Sequence, residues 1–542
     1  MKRKITAVLI LMIGLLISTF VLTTPIPNTE DDSMFNTKYA LDHIAEISEM
    51  EHSVFDPEGH EEVKLYLKAQ LEDYLGAENV TETVYTSDQF DTEEPLEYDV
   101  TNLMGVIPGK SETAIMIVAH YDSRGHIGRT GELGNSYGAA DDGYGIATML
   151  EIARLFKDKN LENTIYLLMT DAEETGLYGA SKAAEETFMD NVGFVINIEA
   201  RGVRGPAYMF ETSVDNDKVL DFYKNAEYPV SYSLATAVYT VMPNSTDFTE
   251  FLAEDKNGIN FAVLNGLFYY HTPHDNYTNV NPSSIAHYGT QIVPLVEEFS
   301  MNEEYSDVNY FDANGNQIFF TVFPDVFISY SELTGTILHI LVVLAAIGSF
   351  VLLLKRDDIT FKKLATSYGM LFAIIIASVL LGYIVSKIVA SISRVPFNVT
   401  YVRTSIGGVP TFVTLVVVAV VAGFAYMKYT TKSGLRTSLV LGGITINALL
   451  ALLTGFALSG ASFLFLIPAL TGVILLALNM WCRVPRIKRI VLSLLLVLNL
   501  IVVLPILYSL YLALTVGGLL ALCVILVFYL FVLVPVFSEI YE

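Results

Sequence analysis

Cysteine is nearly absent from this sequence. The 542 residues hold two, Cys482 and Cys523, both within long apolar runs near the C-terminus. The polar N-terminal part therefore has no disulfide, no thiolate metal ligand and no Cys nucleophile. Positive charge is scarce there too. Residues 24–330 carry 15 Lys and Arg against 53 Asp and Glu, a net of −38, whereas the whole chain is at −26. So acidic a surface, with no basic stripe, repels nucleic acid; it reads as a solvated acidic surface, with steering of cationic substrates as the alternative. Internal repeats and low-complexity linkers are missing. So are Asp and Glu from the middle of the apolar runs after Glu332. Intramembrane charge marks ion and proton paths, and its absence argues against a coupled transporter.

What is present divides sharply. Nearly all charge lies before Glu332 and nearly all long apolar runs lie after it, which reads as a soluble domain followed by a membrane domain. "MKRKITAVLILMIGLLISTFVL" carries three cations and then about 18 apolar residues, enough to span a bilayer. It lacks the short core and small-residue cleavage site of a signal peptide. We read residues 1–23 as an uncleaved transmembrane anchor, 24–305 as the soluble domain, 306–331 as a short β linker with Asn-Gly at its turn, and 332–542 as a membrane domain of about seven helices. Those spans fall near 333–354, 365–386, 410–427, 437–457, 461–480, 490–511 and 514–536. Asn447 and Asn499 lie inside spans, where interhelical hydrogen bonding is the expected role. Every second connection is basic: Lys2–Lys4, then Lys355 to Lys363, Lys428 to Arg436, and Arg483 to Arg489. The positive-inside rule then puts both termini in the cytoplasm. The acidic domain lies outside it, at a cell membrane or, in a eukaryote, in an organelle lumen.

Within 24–305, helical periodicity appears at 60–75, 145–157, 216–225 and 284–299. Between these lie strand-length apolar runs at 113–122, 163–174, 193–202 and 259–271. Alternation of this kind predicts an α/β domain with a mostly parallel central sheet flanked by helices. Ligands gather beyond the carboxyl ends of such strands. There the sequence puts His120 and Asp122, then Asp171, Glu173 and Glu174, then Glu199, then His271. Asp141 and Asp142 stand side by side in the loop after the first of these strands, with no Lys or Arg following until Arg154. Two His with several carboxylates and no thiol suit Zn²⁺ or a similar divalent ion. The donor count suggests two ions sharing a bridging carboxylate and a water or hydroxide, about 3.5–4 Å apart.

The motifs "AHYDS", "GAADDGYGIATMLEIAR", "TDAEETGLYGA", "INIEARG" and "YYHTPHDN" occur in this order. Together they resemble the co-catalytic di-zinc aminopeptidase family, and the multi-span tail resembles its membrane-anchored vacuolar and endoplasmic-reticulum branch. The resemblance covers roughly residues 36–300 and implies a zinc exopeptidase fold with two Zn²⁺ per chain. It implies that His120 and Glu199 are the terminal ligands of one zinc, Asp141 the bridge, and Glu174 and His271 the terminal ligands of the second zinc. It makes Asp122 the carboxylate that orients the His120 ring, and Glu173 the general base that activates a metal-bridged hydroxide. It also implies a cis peptide at Asp141–Asp142. Tyr270, Asp247 and Arg201 are candidates for the substrate pocket; His52, His60, His126 and His274 are read as structural. The expected partners are a peptide substrate and membrane lipid. Two other readings stand beside this one. One is a single-zinc, glutaminyl cyclase-like aminoacyltransferase on the same scaffold; the other is a catalytically inactive membrane interaction protein.

Overall fold

The computed structural model describes residues 2–22, 30–92, 95–125, 135–240, 244–399, 402–433 and 435–541. Contacts divide the chain into two units. One comprises Pro25–Gln317 with Pro324–Phe327; the other comprises Met1–Thr24, Ile318–Phe323 and Ile328–Glu542. Residues 23 and 24, where the sequence reading ends the anchor and begins the domain, lie outside the described residues, as does His126.

The first unit is built on a seven-stranded mixed sheet. In chain order its strands are β1 (Val80–Tyr85), β2 (Val100–Ile107), β3 (Ser111–His120), β4 (Asn163–Thr170), β5 (Val192–Ala200), β6 (Arg204–Thr212) and β7 (Gly258–Asn265), arranged β1-β2-β4-β3-β5-β7-β6. The central four, β4, β3, β5 and β7, are parallel, and they are the four apolar runs legible in the sequence. The margins β1, β2 and β6 pair antiparallel. Strand β1 is half solvated and β6 opens with Arg-Gly-Pro, so neither shows the continuous apolar run of a strand buried on both faces.

Helices cover both faces. Pro57–Leu75, Gly143–Phe156 and Pro282–Met301 pack together on one, and Tyr178–Ala184 and Asp247–Ala253 on the other. On that second face Ala114, Met116 and Val118 of β3 and Val195 of β5 pack against Phe248 and Phe251. Side chains alternate along a strand, so His120 and Glu199 project on the same face, at the carboxyl ends of adjacent strands. The Gly143–Phe156 helix approaches β3 so closely that a Cβ on Gly145 would lie 2.6 Å from the Ala119 Cβ, which fixes glycine at that point of "DDGYGIA".

The short β element forms, as strands β8 (Gln317–Phe323) and β9 (Val326–Ser331), but its turn is not Asn-Gly. Pro324 and Asp325 make it, with Asp325 left-handed at φ 60. Proline presets one turn residue and aspartate tolerates the left-handed one. Asn314 and Gly315 precede β8, where the Gly315 amide donates to Asp215 Oδ1 and its carbonyl accepts from Asp217.

In the second unit seven helices are long and apolar enough to cross a membrane: Glu332–Lys355, Phe361–Ser393, Gly408–Thr430, Arg436–Ala457, Phe463–Trp481, Pro485–Leu514 and Val516–Tyr541. They make the chain a multi-pass membrane protein. Lys2–Leu22 is one continuous helix packed along Pro485–Leu514, with Gly14 against Leu500. Asn447 donates to the Phe528 carbonyl at 3.1 Å and Asn499 to Thr471 at 2.8 Å, each joining two helices.

Candidate metal centre

The loop geometry around the site follows from local chemistry. Asp142 caps the Gly143–Phe156 helix, its Oδ1 accepting from the Gly145 amide at 3.1 Å, where a negative group meets the positive end of the helix dipole. The Asp141–Asp142 peptide is cis, as the resemblance implies. After β4 the chain turns through Ala172, left-handed at φ 58, into a single helical turn, Glu173–Gly176. That turn presents Glu173 and Glu174 together. His271, also left-handed at φ 54, lies in the loop after β7.

These elements bring the five expected donors together in two overlapping triads, His120/Asp141/Glu199 and Asp141/Glu174/His271. Within each, one ligand atom per residue lies within 4.8 Å of the others. His120 Nε2 is 3.4 Å from Asp141 Oδ1, and His271 Nε2 is 3.2 Å from Asp141 Oδ2 and 3.0 Å from Glu174 Oε1. Asp141 thus offers one oxygen to each triad. His120 Nε2, Asp141 Oδ2, Glu174 Oε1, Glu199 Oε1 and His271 Nε2 are all buried without a well-formed hydrogen bond. Leaving one such atom unpaired costs about 1–3 kcal/mol, more for a charged group. Five converging on one place fit divalent metal, which satisfies them all at once. Burial, followed by neighbouring charge, pushes Glu199 and Glu173 well above the usual carboxylate range. Against its own burial, His271 is raised to about 9 by Glu174 and Asp141.

The surrounding residues hold this arrangement. Asp122 does more than the resemblance implies. Its Oδ1 lies 3.5 Å from His120 Nδ1, but the ring bonds the Asp122 backbone carbonyl at 2.9 Å. The Asp122 carboxylate accepts instead from the Glu173 and Glu174 amides, at 3.0 and 3.2 Å. It therefore anchors the turn that carries both glutamates. Sequence reasoning assigned no role to Asp275 or Arg124, and read His60 as structural. Asp275 Oδ1 accepts from the Ala140 amide at 2.8 Å and its Oδ2 from that of Asp141 at 3.2 Å. Arg124 donates to the Glu174 carbonyl and lies 3.2 Å from its Oε2. His60 meets Asp171 at 2.7 Å. Asp275 stands inside a motif already singled out, "YYHTPHDN", and Arg124 directly follows another, "AHYDS", which was the available signal.

Of the pocket candidates, Tyr270 stacks on His271, ring centroids 3.6 Å apart. Asp247 is buried beside the centre, with Oδ2 accepting from Thr170 and Oδ1 unpartnered. Arg201 is half-buried and tied to β7 through its backbone amide. His52 and His274 sit apart from the donor triads, His52 buried against Ser123.

Residues 102–296 match the model of Peptidase family M28. The chain is 27% identical over 345 residues to a vacuolar membrane protease of Schizosaccharomyces pombe, covering 61% of this chain and 38% of that protein. It is 24% identical over 334 residues to endoplasmic reticulum metallopeptidase 1 of mouse, covering 59% and 36%. The chain thus spans less than two fifths of these relatives. Among solved structures, an aminopeptidase from Aneurinibacillus aligns over 50% of this chain and 95% of its own, with TM-score 0.41 and 12% identity. A Bacteroides thetaiotaomicron glutaminyl cyclase aligns over 48% and 98%, with TM-score 0.40 and 18% identity. The matched stretch contains all five motifs and all five expected donors, and in it this chain is similar to peptidase family M28.

Proposed function

We propose that this chain is a membrane-anchored zinc metallopeptidase acting as an exopeptidase on the amino end of peptides. The observation that carries this reading is the pair of buried triads sharing Asp141, with Glu173 beside them outside the donor set. His120, Asp141 and Glu199 would hold one zinc, and Asp141, Glu174 and His271 a second. Bound zinc would supply Lewis acidity, polarising the scissile carbonyl and making water acidic enough to react near neutral pH.

The chain's own residues do the rest. Glu173 accepts the proton of the attacking water at its carboxylate and returns it to the leaving amine nitrogen. Asp122 holds the Glu173 and Glu174 amides and so fixes where that carboxylate points. Asp275 fixes the loop that presents Asp141. Tyr270, stacked on His271, walls the site against water.

The peptidase domain lies on the extracytoplasmic face in this reading. The alternation of basic connections supports it. So does Glu539, which pairs with Arg436 at 3.0 Å and Lys488 at 2.6 Å and gathers two of the basic ends at one end of the bundle.

The test is metal content and hydrolysis of aminoacyl chromogenic substrates by the full chain in detergent, with Glu173→Gln beside it. The expected result is about two zinc ions per chain, with activity lost in the variant while metal stays. A folded chain with no zinc and no hydrolysis overturns the reading. One zinc with cyclisation of N-terminal Gln replaces it with the transferase.

A further inference from the structure

Two strands from Glu199, on the same face of the sheet, lies an acid that neither the metal centre nor its scaffold uses. Glu211 of β6 pairs in register with Asn260 of β7, which pairs with Asn197 of β5. The three side chains form a row. Asn197 donates to Asn260 at 3.0 Å, and Asn260 donates to Glu211 Oε2 at 3.0 Å. Asn197 is two residues before Glu199, so this row and the metal-facing carboxylate share a face.

Glu211 is 6% exposed, yet this one amide is its hydrogen-bond donor, and among the described residues no Lys, Arg or His pairs with it. A buried carboxylate so thinly paired is costly. Burial raises it to about 7. Tyr239 ends the Ser233–Tyr239 helix, which packs against β6. Its ring packs edge-on against Phe210, centroids 4.9 Å apart, and its buried hydroxyl makes no well-formed hydrogen bond. After burial, the charges that most affect that hydroxyl are Glu211 and Glu199, with Glu173 also contributing. Strand register thus puts Glu211, Asn260, Asn197 and Glu199 on one face, with Tyr239 packed beside the strand that carries Glu211.

We propose that Glu211, with Tyr239 beside it, recognises a cationic side chain on the residue being removed, so that the site prefers peptides beginning with Lys or Arg. A long side chain leaving the reaction centre along Tyr239 would bring its ammonium or guanidinium to a carboxylate that has no counter-ion of its own. The strongly acidic surface of residues 24–330 attracts the same class of substrate. This inference rests on the aminopeptidase reading above.

The experiment compares kcat/KM for Arg-, Lys- and Leu-aminomethylcoumarin with the zinc-loaded full chain, for the native protein and for Glu211→Gln and Glu211→Asp. We expect the native protein to favour Arg and Lys over Leu by about tenfold or more, the scale on which a buried charge pair discriminates. Glu211→Gln should cut the Arg-to-Leu ratio by about tenfold, mostly through KM. Glu211→Asp, which keeps the charge, should retain more of the preference. A native enzyme that hydrolyses the Leu substrate with no preference for basic residues overturns the inference and leaves the aminopeptidase standing. So does an Arg-to-Leu ratio that survives Glu211→Gln in a folded variant. A zinc-loaded protein that cleaves none of the three overturns both.

Discussion

The two units bury polar groups in opposite ways. The α/β unit buries charge: His120, Asp141, Glu174, Glu199 and His271 converge with donor atoms unpaired. The membrane unit buries neutral amides: Asn447 and Asn499 each reach a neighbouring helix and satisfy their N–H groups there. Charge on that scale is tolerable only where a compensating cation can enter from water. In lipid no such supply exists, and amide hydrogen bonds between helices are the affordable polarity. The contrast separates a cluster of buried charged donors from a bundle whose asparagine N–H groups are shared between helices.

The sharpest way to break this contrast is at Glu173. Glu173→Gln should lower kcat by about 10²–10⁴-fold with zinc retained, read by single-turnover hydrolysis and metal analysis. If the variant keeps activity, the base lies elsewhere. The next largest effect is on stability, at a buried charge unconnected with metal. Glu151 is fully buried, accepts from the Asn36 amide at 2.7 Å and is bound by Arg154 at 2.7 and 2.8 Å. Glu151→Ala strips the buried Asn36 amide of its acceptor and leaves Arg154 only the Asp32 and Met34 carbonyls; it should cost about 1–3 kcal/mol, measured by denaturant unfolding of the full chain.

Removing metal should separate the two units. Chelation should lower the melting temperature of the α/β unit, because a ligand that binds only the folded state stabilises it by mass action. It should leave membrane helicity unchanged, which circular dichroism during the same melt would show.

Glu211 supplies the pH test. Its folded pKa, about 7, is raised above that of the unfolded chain. The associated stability is present at low pH and is lost as pH rises through about 7. Glu211→Gln should therefore raise the melting temperature more at about pH 8.5 than at about pH 5.5, by a difference on the order of 3 °C. The smallest effect belongs to the membrane unit. Asn447→Leu should cost about 0.6 kcal/mol without changing hydrolysis, read by unfolding in mixed micelles.

Much of the molecule was legible in its residues because the signals were local. Strands buried on both faces appear as unbroken apolar runs, and β3, β4, β5 and β7 are such runs. Membrane helices announce themselves by length and hydropathy. Ordered motifs named the donors, and each stands at the carboxyl end of a central strand or in the loop that follows one, where ligands of an α/β sheet gather. The turn of the β8–β9 pair was misplaced because Asn-Gly is a strong local signal with no knowledge of what docks beside it. Gly315 is occupied with Asp215 and Asp217 instead.

What only the tertiary structure decided was pairing across the chain. The sequence by itself determined the donor chemistry, the absence of thiols, the acidic surface and the membrane tail. It could not say that Asp122 would bond the Glu173 and Glu174 amides rather than the His120 ring, or that Asp275 would hold Asp141 from 134 residues away. Nor could it say that Glu211 would share a face with Glu199 through Asn260 on the intervening strand and Asn197 on the strand of Glu199 itself. Residue type fixes what a side chain can donate or accept. Which partner it meets is set by strand register and helix packing, which depend on every other part of the sheet at once.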